Sequence, residues 1–460
     1  MSNQLLIELL QALDGPQHRF ANYGRYYRGE QAISFVSPES RAAIGNRLSR
    51  LIVNVPRIAV NAIAERCRVL GFEPDPSIWS DFIANDLDQQ AGIVHRSALL
   101  YGQSFVIVWG TDNRPIASVE SPQNVQVICD PATREITSAV KRYHTKTESH
   151  AHVYLPTEIQ HWRAKTAGAA SSAYELIDTL PNPLGVVPVV RFLNADLLGD
   201  GISEIADIAC LTDALSKVSS DMLIASEFLA KPRRWATGVE LTEVPVLDDD
   251  GSPVYEAGQP VTDVVSPFPE NDRFLISEAA ETKFGQLAGS GLDGYKNAAD
   301  LILSEIAAVS SLPPHYLGIL HDNPSSADAL RASEAGLTSR AAAKQGAFGR
   351  SWETVGRLMA AIRTGADPAD VECRVRWCDP GTRSEAQAAD AVLKLVQAGI
   401  LSRSGALSRL GYTQSEIEEE LFNTERERYA NANPELSIAV ARHAELMLDH
   451  HERTGKYSVE

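Results

Sequence analysis

Four histidines, His144, His150, His152 and His161, fall within the run KRYHTKTESHAHVYLPTEIQHW. Imidazole is the commonest metal ligand and general base in proteins, so this group is where chemistry would first be sought. On a strand His150 and His152 alternate to the same face, and with His144 and nearby Asp residues they could serve a metal-dependent hydrolase. No carboxylate or further histidine stands at a spacing diagnostic of a metal site, and a solvated β-turn accounts for the same residues. Asp248-Asp249-Asp250-Gly251 suggests calcium, yet with Gly251 sixth in an EF-hand loop, Val246 would be first and Ala257 twelfth, where acidic ligands are required. An acidic hairpin turn fits better. Cys373 and Cys378 are five apart, face opposite sides of a strand and read as buried thiols. The nucleophile-elbow, P-loop, zincin and dinucleotide-binding motifs are missing, and GSGLDG at 289–294 follows no apolar strand. The residues therefore point to a structural role, with no catalytic residue, metal or cofactor.

The elements around these residues favour the same reading. The 460 residues exceed what one hydrophobic core usually organises, and 44% apolar with 22% charged residues is ordinary for a folded protein. A net charge of −18 argues against gripping a phosphate backbone over the whole surface. The five cysteines are spread widely and suggest reduced thiols, not a disulfide framework. MSNQLLIELLQALDG carries Glu8 and Asp14 and reads as an amphipathic helix instead of a signal peptide. The uncharged stretch from Ser97 to Gly110 is too short to span a bilayer.

Residues 39–70 read as a helix that Pro56 kinks or breaks. From Ser104 to about Asn194, eight short β-rich runs separated by turn formers predict an antiparallel meander. From Ile202 to Leu229 the period changes. Ile208, Leu211, Leu215, Val218, Met222, Ala225 and Leu229 recur in steps of three and four and need a helical partner. Residues 231–289 read as a small hairpin module. A second helix follows with Tyr295, Ala299, Ile302, Ile306 and Val309 on one stripe, stopped by Pro313-Pro314. Ser325 with Asp328 matches a capping box opening a long helix to about Arg363. Its Gly336, Gly346, Gly349 and Gly356 suggest a kink or a close neighbour, and its cations, Arg331, Arg340 and Lys344 among them, outnumber its acids six to three. Residues 371–378 alternate as a strand, and from Ser384 the chain reads as helical, with breaks near Gly399, Gly411 and Asn433-Pro434.

Several segments together resemble the portal proteins, or head-to-tail connectors, of tailed bacteriophages of the siphophage type. In order they include YYRGEQAISF at 26–35, VICDPATREITSAVKRY at 127–143, NPLGVVPVVRFLN at 182–194 and DGISEIADIACLTDALSKVSSDM at 200–222. SSLPPHYLGI at 310–319, NPSSADALRASEAGL at 323–337, KQGAFGRSWETVGRLM at 344–359 and WCDPGTRSEAQAADA at 377–391 continue the set. The resemblance implies an α+β portal fold with an α/β wing, a two-helix stem, a β-containing clip insertion, a long kinked helix and a helical C-terminal crown. Mapped onto this chain, the wing is 1–201, the stem helices 202–230 and 290–311, and the clip 231–289. The channel loop is 312–325, the long wing helix with its returning strand 326–383, and the crown 384–460. It further implies a ring of about twelve copies at the capsid vertex of a virion assembled in the host cytoplasm. Its expected partners are the packaging motor large subunit, a head-completion or tail adaptor protein, the major capsid or scaffolding protein, and double-stranded DNA bound without sequence preference. No membrane is involved. Gly318, Leu320, His321, Asp322, Asn323 and Ser325 would belong to the channel loop, with Arg331, Arg340 and Lys344 near enough to meet DNA.

Overall fold

The structure, a computed structural model, describes residues 2–32, 52–111, 113–230, 234–237, 242–246, 252–256, 258–265, 281, 283–286, 292–319, 327–381 and 385–432. The chain divides into two compact units: a larger one of residues 1–32, 52–214 and 302–460, and a smaller one of 33–51 and 215–301.

In the larger unit the opening residues form helix α1 (Ser2–Asp14), whose Leu6, Leu9, Leu10 and Leu13 recur at helical spacing and are fully buried. Helix α2 (Gln17–Arg28) follows, closed by Gly29 in the left-handed conformation. The helix expected over 39–70 differs. Residues 33–51 lie outside the described set, and α3 (Val55–Ala64) starts one residue before Pro56, in the first turn, where a missing N–H costs nothing. Strand β1 (Val69–Glu73) then replaces the rest of that helix, because its backbone pairs with β16 (Arg374–Trp377). Two helices that the sequence pattern did not reveal, α4 (Ser77–Ala84) and α5 (Leu87–Tyr101), precede the sheets.

The eight β-rich runs become eight strands, but in two sheets. β2 (Gln103–Thr111) lies between β3 (Arg114–Glu120) and β9 (Val189–Leu193). β4 (Val125–Cys129), β5 (Ile136–His144), β6 (Ser149–Tyr154), β7 (Glu158–Ala164) and β8 (Glu175–Pro181) form a five-stranded antiparallel meander. Alternation places two apolar sets on opposite faces of that meander. Ala139, Tyr154 and Ile159 meet Phe105, Ile107 and Val189 of the smaller sheet. Val140, Ala151, Val153 and Trp162 take the leucines of α1.

Helix α6 (Ala209–Ala230) begins seven residues later than the stem pattern suggested. Residues 202–203 join no helix and 204–208 form turns instead, with Ile205 and Ile208 fully buried. Of the other seam residues, Leu215 is buried, Leu211, Val218 and Met222 are half-buried, and the side chain of Leu229 is outside the described set. In the smaller unit the chain folds as nested antiparallel pairs: β10 (Arg234–Thr237) with β15 (Lys283–Gln286), β11 (Thr242–Pro245) with β14 (Thr262–Val265), and β12 (Tyr255–Glu256) with β13 (Gln259–Pro260). The Asp248–Gly251 turn lies outside the described residues. Helix α7 (Asp293–Ser310) follows, its buried positions being Ile306, Ala307 and Ser310, while Val309 is exposed. The expected stripe therefore slips by one residue at its end.

Helix α8 (Ala327–Thr364) runs 38 residues, and its glycines do not interrupt it. Leu337, Ala341, Phe348, Trp352, Val355 and Met359 are buried at helical spacing. Trp352 is the centre of an aromatic cluster, 4.7 Å from Phe192 and 5.2 Å from Phe82 between ring centroids. Its indole N–H donates to His95 Nε2 at 2.8 Å. Helices α9 (Glu385–Gln397), α10 (Arg403–Arg409) and α11 (Gln414–Ala432) complete the described chain, with left-handed Gly399 and Gly411 between them. No helix among the described residues is long and apolar enough to cross a membrane.

One glycine on α8 is fixed by close approach: a Cβ at Gly356 would lie 2.6 Å from Cys373 Sγ and 3.2 Å from Ile78 Cγ2. Gly356→Ala is expected to lower the melting temperature, because overpacking costs about 1–3 kcal/mol and outweighs the helix-propensity gain of about 1 kcal/mol. Calorimetry showing a stabilised variant would contradict the packing described.

Candidate functional site

The chain leaves the smaller sheet at Leu193 and must reach α6 through a segment with few side chains to bury. Asn194 shapes it. Its N–H donates to Gly102 O at 2.8 Å, and its side-chain amide donates to Ile202 O at 2.7 Å and to Glu204 Oε1 at 3.0 Å. Ile202 N–H returns a bond to Asn194 O, Glu204 N–H donates to Leu99 O, and Ser203 Oγ to Leu100 O. Captured by these partners, the backbone cannot form a helix, which is why α6 starts late. The approach demands glycine on both sides: a Cβ at Gly201 would fall 1.8 Å from Gly102 O, and Gly102 itself has φ +89°.

This folding carries Glu204, 4% exposed at its side chain, to α8. Arg340 Nη2 donates to Glu204 Oε2 at 2.5 Å and Arg340 Nη1 to Ser310 O at 3.3 Å. Lys344, 5% exposed, holds Asp196 Oδ1 at 2.6 Å and Glu204 Oε1 at 3.4 Å. The hydrogen bond to Lys344 lowers the Asp196 pKa. A buried carboxylate between two cations ties the root of α6, the end of α7 and the middle of α8 together.

Beyond Ser310 the backbone turns at Ser311 (φ +56°), and Pro314–Leu317 form a short 3-10 turn closed by Gly318 (φ +73°). Arg66 Nη2 donates to Tyr316 Oη at 3.0 Å and approaches Glu334 Oε2 at 3.4 Å. His315 Nε2 lies 3.5 Å from Glu334 Oε1. The segment entering the expected channel loop thus stands on a polar clamp between α3 and α8. Gly318 is exposed at the end of that clamp, whereas Leu320, His321, Asp322, Asn323 and Ser325 lie outside the described residues. Arg331 is half-buried on the first turns of α8. Arg340 and Lys344 stand in the Glu204 cluster. The sequence reading missed Glu204, Asn194, Arg66 and Glu334, whose partners are too distant in sequence to leave a local pattern; the 200–222 segment held Glu204 without singling it out.

Three of the four histidines gather where the five-stranded sheet extends past the inter-sheet core. His152 and His161 stack at 4.5 Å with planes 4° apart, His150 Nδ1 is 3.1 Å from His161 Nε2, and Tyr143 stacks on His150. His144 turns instead to Ser149 Oγ at 2.8 Å. Burial, followed by the charges of His161, Lys141 and His150, pushes the His152 pKa down to about 4. No group of three His, Cys, Asp or Glu among the described residues is disposed to hold a metal ion. The facing nitrogens of His150 and His161 are occupied by each other, and His152 meets His161 face to face, so the arrangement lends no support to the hydrolase alternative.

A chain with two helices on either side of a hairpin insertion, and a long helix bonded to the segment after the second, is by family match a phage portal, or head-to-tail connector, protein. The chain belongs to the family described as phage portal protein, SPP1 Gp6-like, whose sequence model matches residues 18–432. It is 30% identical over 439 residues to the portal protein of Mycobacterium phage L5, covering 90% of this chain and 86% of that one. The portal protein of Mycobacterium phage D29 is 29% identical over the same shares. Among solved structures, a chain from the neck of a native gene transfer agent particle computed with C12 symmetry aligns at TM-score 0.44 and 12% identity, over 85% of this chain and 99% of that one. The protein is accordingly a structural portal component and not an enzyme.

Glu204→Gln leaves Lys344 buried with less compensation and is expected to cost about 3 kcal/mol in denaturant unfolding. Asp196→Asn, at a side chain 67% exposed, should cost under about 1 kcal/mol. Equal losses would contradict the ranking. Acid should destabilise the fold as well. Burial pushes His95 to about 3 and His152 to about 4, below the unfolded value near 6.5, so the unfolded chain binds protons first as pH falls. The melting temperature should hold above about pH 6.5 and decline between there and pH 4, with His152→Gln reducing the slope; a flat profile would refute this.

Proposed function

We propose that this chain is one subunit of a ring of about twelve at the capsid vertex of a virion, through which double-stranded DNA enters and leaves. The observation that carries the reading is the family match over 18–432 together with the clamp of Arg66, Glu334, His315 and Tyr316 under the segment leading to Leu320. A loop on a fixed base can hold one height in a ring. Gly318 and Leu320 to Ser325 would then border the bore and touch DNA through van der Waals and polar contacts. Arg331 follows the loop by less than two helical turns and is the phosphate contact nearest to it in sequence. Arg340 and Lys344 hold Glu204 in the subunit, so phosphate contact by them requires exchange of those ion pairs. The seam of Ile208, Leu211, Leu215, Val218, Met222 and Leu229 would pack in the stem.

The acidity of the chain suits passage. Acidic groups lining a bore repel phosphate over about 8 Å at physiological salt and let DNA slide. The ring would dock the packaging motor during filling and the tail adaptor afterwards, and would meet the major capsid or scaffolding protein at the vertex. Assembly takes place in the host cytoplasm.

Negative-stain images of the purified chain should show rings of about twelve copies. Deleting Leu320 to Asn323 should leave rings intact while impairing DNA packaging or retention, and a cysteine placed by Asp322→Cys should cross-link to packaged DNA. Normal packaging and retention in the deletion, with no cross-link in intact rings, would remove the gate role from this loop.

A further inference from the structure

The segment between Asn194 and Ile202 carries a feature that its own fold leaves unused. Leu197 and Leu198 are 77% and 82% exposed, the two most exposed large apolar side chains among the described residues. Their loop is held at both ends, by the Asn194 bonds and the Gly102–Gly201 contact, and along its length by the Asp196–Lys344 ion pair. It cannot fold back to bury them without breaking those ties, and among the described residues of the subunit nothing covers them.

A fitting cover exists on the same chain. The outward side of the first half of α8 exposes Ala332, Ala335, Ser339, Ala342 and Gly346, in steps of three and four. Every exposed residue from Ala332 to Ala347 is Ala, Ser or Gly, in a chain that is 22% charged. Copies that each carry −18 repel, so contact between them is most favourable where surfaces lack charge. The rims also match in sign: Asp200 follows the leucines, and Arg350, 86% exposed and bonded through one guanidinium nitrogen to Glu353 at 3.2 Å, ends the small-residue side. We propose that Leu197 and Leu198 of one copy pack onto the Ala332–Ala347 side of α8 in the next copy. Made head to tail, with each copy's leucines on the next copy's helix, the contact is heterologous, and its repetition builds a ring when the rotation between copies closes. The inference rests on the ring reading above and names its apolar anchor.

The test compares wild type, the double variant Leu197→Ser/Leu198→Ser, and Ala343→Glu, which places a charge on the receiving side at an exposed helical position. Native mass spectrometry across a dilution series gives the concentration of half-assembly, and circular dichroism reports each fold. Both variants should keep the monomer fold and need at least about tenfold more protein to assemble. Wild-type rings with both variants assembling at the wild-type concentration would overturn the leucine anchor and leave the ring reading intact. A wild-type chain that stays monomeric throughout would overturn the ring reading and the anchor with it. Should the leucine variant lose its fold, Ala343→Glu decides alone: unchanged assembly overturns the contact, and weakened assembly supports it.

Discussion

The buried carboxylate of Glu204 is the constraint on which the arrangement around it depends. A carboxylate 4% exposed is tolerated only when its charge is matched and its oxygens are bonded. Arg340, Lys344 and the Asn194 amide meet that requirement together. Because the carboxylate sits at the root of α6 and its cations on α8, meeting it fixes where α6 begins. The bond from Arg340 to Ser310 O extends the same tie to the end of α7. Three elements far apart in the chain are thereby set by one charge.

The long helix distributes this order. Its aromatic half packs Trp352 against Phe192 and Phe82, and Phe348 stacks on His95 at 5.2 Å, so the two halves of α8 are anchored by different physics. Apolar burial secures the C-terminal half on the smaller sheet. Ion pairs and the Arg66–Glu334 clamp secure the N-terminal half beside the loop segment. An anchor of the second kind responds to neighbouring charge, and one of the first kind does not.

Local periodicity made much of this fold legible. The eight strands were read because side chains alternate with period two, and the helical breaks at Gly399 and Gly411 because glycine accepts positive φ. Their division into two sheets was not legible, since alternation says which face is apolar but not which strand pairs with which. The segment at 202–208 carried apolar spacing that mimics a helix, and only the distant Leu99, Leu100 and Asn194 partners override it. Val309 continued a stripe in sequence, yet Ser310 is buried in its place with its hydroxyl bonded to Ile306 O. The candidate site was legible in part. Lys344 and Arg340 stood out as cations, but their carboxylates lie some 136 to 148 residues away and no spacing rule connects them.

The nested pairing of the smaller unit has a consequence for how such a chain can change. Pairing of Arg234 with Gln286 and of Thr237 with Lys283 sets the width of the module at its base, while the innermost pair in the nesting is Glu256 with Gln259. Residues added inside that pair lengthen a closed loop, and each doubling of loop length costs only about 0.6 kcal/mol of closure entropy. The tip can therefore diverge in length and composition from one lineage to another, while the base pair preserves the separation of the strands that join the helices.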